Sequence, residues 1–137
     1  MSDHAIFYPL IALVVLTFVV AVLMRRYRDR ARREGLDPQY FALNSGAEPP
    51  EYLIQVTQHY DNLFEMPVLF YTVITLLYVT GGVNVATVIL AWAYVLGRCI
   101  HALIHITSNN LLQRRMAFLA SSLVLAILWG MFAAQIY

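Results

Sequence analysis

Asn62, Glu65, Arg98, His101, His105, Arg114 and Arg115 are the residues whose chemistry is out of keeping with the apolar stretches around them. Glu65 is followed by a long run without any charge. A charged side chain at the centre of a membrane helix costs on the order of 3 kcal/mol on insertion scales, so such groups pair with one another or mark a functional site. The economical arrangement is an ion pair between Glu65 and Arg98, which serves equally as a clamp between two helices or as part of a ligand site. Around that pair the groups are mostly cationic and hydrogen-bonding with a single carboxylate, a set that suits an anionic or zwitterionic ligand. For a thiol peptide, an arginine beside the sulfur would favour the reactive thiolate, since a free thiol has a pKa of about 8.5. His101 and His105 could share a metal with Glu65, but two histidines without a third convincing ligand leave the set incomplete, and no metal is expected.

Bringing these residues together requires membrane helices. The chain has 137 residues, of which 61% are hydrophobic and 12% charged, and its mean hydropathy is +0.65. Soluble domains carry about 25% charged residues. The expected fold is all-α: an integral membrane four-helix bundle, one domain over residues 1–137, with helices over about 5–30, 51–80, 85–107 and 116–136. The apolar run from Ala5 to Met24 has about the 20 residues that cross a bilayer. Asp3 and His4 before it and arginines after it argue for a retained anchor rather than a cleaved signal. All nine basic residues are arginine, and Arg25, Arg26, Arg28, Arg30, Arg32 and Arg33 form one cluster. Because the cluster abuts a span, it reads as a topology signal that puts its loop in the cytoplasm and the N-terminus outside, and no nucleic-acid partner is expected. Cys99, the single cysteine, excludes an internal disulfide.

The second helix would be about 45 Å long at 1.5 Å per residue, longer than a hydrocarbon core, so its first half should project into water or line a polar cavity. Gln55, Gln58, Asn62 and Glu65 make one stripe on it, and Pro67 can kink it just beyond. Tyr94, Arg98, His101 and His105 share a face of the third helix. A short loop carries Arg114 and Arg115 to the fourth helix, on which Ser122, Ala126, Gly130 and Ala134 form a small-residue ridge. Four passes put both basic clusters on one side, where the ends of all four helices can converge.

Asn62-x-x-Glu65 closely followed by Pro67, and Gly97-Arg98-x-x-His101, resemble the membrane-associated proteins in eicosanoid and glutathione metabolism, the MAPEG family. The resemblance covers nearly the whole chain and is nearer to the small bacterial branch. It implies a homotrimer of four-helix bundles with glutathione between neighbouring subunits near the cytoplasmic face. It also implies transferase, peroxidase or isomerase activity on lipophilic electrophiles. Asn62, Glu65, Arg98 and His101 match glutathione-contacting positions, and Arg25 or Arg26 matches the basic position ending the first helix. Arg114, or less closely Arg115, matches the thiolate-stabilising arginine. Gln58 and Asp61 replace arginines of the eukaryotic members, and His105 replaces a tyrosine.

The expected function is therefore a glutathione-dependent transferase or peroxidase in a lipid bilayer, the bacterial inner membrane, with its site facing the cytoplasm. Arg114 is the catalytic residue, and Arg26, Asn62, Glu65, Arg98, His101, His105 and Arg115 hold the co-substrate. The alternative is a non-catalytic protein on the same scaffold, or an accessory subunit of a larger membrane complex.

Overall fold

Ser2 accepts the amide of His4 and so caps a 3-10 turn, Asp3–Ile6, which leads without interruption into α1 (Phe7–Arg33). The computed structural model describes residues 2–137, and every regular element among them is helical. At 27 residues α1 outreaches a bilayer core, and its arginine-rich end carries the ion pairs Arg25–Asp29 at 3.2 Å and Arg30–Glu34 at 2.7 Å. Gly35, at φ +97°, stops the helix by taking the left-handed conformation that side chains resist. The single turn α2 (Tyr40–Leu43) then buries Tyr40 against Leu53 and Val56 of the next helix in one apolar cluster.

The expected second helix is two helices, α3 (Glu51–Asn62) and α4 (Met66–Val79). Pro67 lies in the first turn of α4, where its missing amide costs nothing. A proline ring also clashes with the carbonyl four residues earlier, here Leu63, so the helix is interrupted just before the proline rather than merely kinked there. Leu63, Phe64 and Glu65 bridge the gap in short turns: Phe64 N–H donates to Asp61 O at 3.0 Å and Glu65 N–H to Asn62 O at 3.4 Å.

α5 (Val85–Ile106) starts at a reciprocal cap, with Thr87 N–H donating to Asn84 Oδ1 at 3.1 Å and Asn84 N–H to Thr87 Oγ1 at 2.9 Å. α6 (Leu111–Gln135) begins at Leu111 rather than Met116, because Asn110 accepts Gln113 N–H at 3.0 Å and caps it. Arg114 and Arg115 therefore stand in the opening turns of a helix and not in a loop. α5 packs most extensively on α6, and Gly97 permits it: a Cβ there would stand 3.0 Å from Ser121 Cβ.

Four helical segments are long and apolar enough to cross a membrane: Asp3–Arg33, Glu51–Val79, Val85–Ile106 and Leu111–Gln135. Phe18, Val22, Ile89, Leu96 and Leu123 are exposed on their outer faces, the arrangement a bilayer accepts and water does not. Between the helices lie two apolar clusters. One is centred on Phe70, Tyr94 and Leu128; the other joins Val20 and Ala31 to α2 and α3.

Candidate functional site

Asn62 ends α3, and its position there organises the polar half of the bundle. Arg98 Nη2 donates to the Asn62 carbonyl at 3.4 Å and also to Asn62 Oδ1, while Asn62 Nδ2 donates to Glu65 Oε2 at 3.1 Å. A guanidinium at a helix C-terminus meets carbonyls that lack intrahelical partners and the negative end of the helix dipole. The expected direct ion pair between Glu65 and Arg98 is not formed; the ion pairs among the described residues are the two at the C-terminal end of α1, Arg25–Asp29 and Arg30–Glu34. The reason is the helix break. It leaves Glu65 exposed between α3 and α4, while Arg98 is fully buried under Asn62, which joins them as a bridge. Arg98 also lies 5.8 Å from the Phe118 ring centroid, within cation–π range.

A cleft of about 380 Å³ opens between α3, α5 and α6, lined by Gln58, Asn62, Glu65, His101, His105, Leu111, Arg114, Arg115 and Phe118. Six of the expected residues thus meet: Asn62, Glu65, His101, His105, Arg114 and Arg115. Arg98 stands behind the cleft wall, joined to it through Asn62. Arg26 is not brought to the cleft; it is exposed and borders an apolar groove with Val15, Phe18, Val19, Val22 and Leu23. Asn109, in the left-handed conformation at φ +48°, accepts Arg114 Nη1 on Oδ1 at 2.8 Å and fixes that guanidinium at the cleft edge.

The walls are chemically unequal. One end combines two guanidinium groups with the N-terminus of α6, whose free amides and positive dipole end favour anions. The other end carries the Glu65 carboxylate. An anion and a cation on one ligand would both find counterparts.

His59, one turn before Asn62, is the functional candidate that sequence reasoning missed. It is fully buried with His101 and His105, at ring-centroid distances of 5.4 Å and 5.2 Å, and the latter two are 5.5 Å apart. A signal existed: His59 lies four residues after Gln55 and three before Asn62, at helical spacing from both.

A bundle of four helical segments long and apolar enough to span a membrane, with a polar cleft between α3, α5 and α6, defines the class of this protein: an integral membrane protein. A family model matches residues 6–134, and the chain belongs to the MAPEG family. No curated protein and no solved structure matches it.

Proposed function

We propose that the chain is a glutathione-dependent membrane transferase or peroxidase acting on lipophilic electrophiles. The observation that carries the reading is the cleft in which Arg114 and Arg115 at a helix N-terminus face Glu65 and Asn62. Glutathione has carboxylates, one ammonium group and a thiol. Glu65 takes the ammonium, Asn62 bonds the backbone of the tripeptide, Arg115 takes a carboxylate and Arg114 steadies the thiolate. Gln58, His101 and His105 complete the wall, and Arg98 acts through Asn62 as a positioning residue.

An apolar groove of about 350 Å³ lies on α1, α3 and α4, lined among others by Phe18, Phe64, Val68 and Tyr71, and suits the electrophile. It shares no lining residue with the cleft. We take the assembly to be the homotrimer that membership of the family implies. In such an assembly Arg26 reaches the cleft only when supplied by a neighbouring subunit. The basic ends of α1 and α6 support a cytoplasmic orientation for the cleft and an outer N-terminus, in a bacterial inner membrane.

Full-length protein in detergent should bind glutathione and turn over an aryl halide or a lipid hydroperoxide. Arg114→Ala should lower turnover at least about tenfold at neutral pH, and the deficit should narrow above the ordinary thiol pKa of about 8.5, where thiolate forms unaided. Absence of binding at millimolar thiol would sink the proposal. Ala126, Gly130 and Ala134, exposed along α6, favour a second reading, a scaffold or accessory subunit of a larger membrane complex. Copurification with a stoichiometric partner, together with no turnover, would support that reading instead.

A further inference from the structure

The geometry points to a transition-metal site formed by His59, His101 and His105, taking a late first-row ion with Zn(II) as its ordinary occupant. Three helical positions from two different helices supply it, one on α3 and two a turn apart on α5. One ligand nitrogen from each ring lies within 4.8 Å of the other two, and all three residues are buried. Tetrahedral zinc with Zn–N bonds of about 2.0–2.1 Å sets its ligand nitrogens roughly 3.4 Å apart, so side-chain adjustments on the order of 1 Å close the site.

The polar bookkeeping points the same way. Both nitrogens of His59, both of His105 and Nδ1 of His101 are buried without a hydrogen-bond partner among the described residues. Buried polar groups are ordinarily satisfied, and a group of them converging on one point calls for a shared partner. Neutral imidazoles suit zinc, copper, iron and nickel rather than magnesium or calcium, which prefer oxygen. No carboxylate belongs to the set, so a divalent ion keeps its full charge there and takes an anion in its remaining position. His101 and His105 also line the cleft, which is the side from which such an anion enters.

The inference does not rest on glutathione chemistry, and its test uses no glutathione. Full-length protein carrying a tag without histidine is purified in detergent, stripped with a chelator, exposed to zinc and freed of excess ion by gel filtration. Elemental analysis should find a single zinc ion per chain. His59→Gln should lose it, and His4→Gln, which changes the exposed histidine at the other end of the bundle, should retain it. Circular dichroism establishes that each variant is folded. Cobalt(II) in place of zinc should give the visible bands of a tetrahedral centre, and His105→Cys should keep the ion while adding a thiolate-to-cobalt charge-transfer band. Zinc uptake no greater than that of His59→Gln, or equal loss in His4→Gln, would overturn the site. So would a His105→Cys protein that binds cobalt without the new band. Failure of glutathione binding with zinc retained would remove the proposed enzyme and leave the metal site standing.

Discussion

The half of the bundle around Phe70 and the half around Arg98 share α5 and α6 and lie a few turns apart, yet they solve opposite problems. In the first, Phe70 and Tyr94 stack at 4.5 Å with planes 18° apart, and Ile74, Leu77 and Leu128 close around them with essentially no exposed surface. That is interior packing, in which each side chain is held by shape. In the second, an arginine and three histidines are buried beside a half-buried asparagine, and most of the nitrogens of those three histidines have no partner among the described residues. Polar groups kept at such cost beside a cleft are candidates for a functional site, while the apolar half fixes the helix geometry on which the cleft depends.

The largest effect that sharpens this contrast is in the packed half. Phe70→Ala removes a fully buried ring and should cost about 3–5 kcal/mol of unfolding free energy. Denaturant titration in micelles, followed by circular dichroism, measures it. A loss below about 1 kcal/mol would mean that the two halves do not differ in packing as described.

In the polar half the expected pattern is reversed. Arg98→Met roughly keeps volume and removes a buried charge whose Nε and Nη1 find no partner among the described residues, so stability should change by less than about 1.5 kcal/mol. The cap on α3 is lost with it, Asn62 is free to turn, and glutathione affinity should fall about tenfold, or about 1.4 kcal/mol, by calorimetry. Equal damage to stability and affinity would instead make Arg98 a structural clamp, and the distinction between the halves would lapse.

The unequal halves also account for what was legible in the sequence. Long apolar runs bounded by arginine, glycine and asparagine mark the spans, because bilayer thickness and unsatisfied backbone polar groups leave a chain few alternatives. The stripes that place Asn62 with Glu65, and Arg98 with His101 and His105, follow from helical periodicity alone, and both stripes reach one cleft or its wall. Periodicity does not specify how two stripes face each other. It therefore favoured the direct Glu65–Arg98 pair, whereas the break at Leu63 to Glu65 rotates Glu65 outward and makes Asn62 the partner. His59 escaped notice for the same reason: its meaning arises only when α3 and α5 are docked. Arg26 is legible as a cation at a helix end but is remote from the cleft within one chain.

The smallest effect tests the junction at which Glu34, just past the end of α1, meets the first turn of α3. Glu34 accepts hydrogen bonds from the Tyr52 hydroxyl and from Arg30 Nε at 2.7 Å, and these, the tyrosine bond foremost, hold its carboxyl below the ordinary value of 4.5. A depressed native pKa means that the charged form is favoured by folding. The contribution is fully present above the unfolded-state value and disappears as pH falls through the native one. Glu34 is exposed, so solvent screening keeps the effect slight. Thermal melts of wild type and Glu34→Gln should differ a little at pH 6 and converge as acid protonates the wild-type carboxylate. Curves that stay parallel down to pH 3 would show that this contact merely rides on the docking of α1 and α3, and that the polar clusters contributing to the fold lie within the bundle.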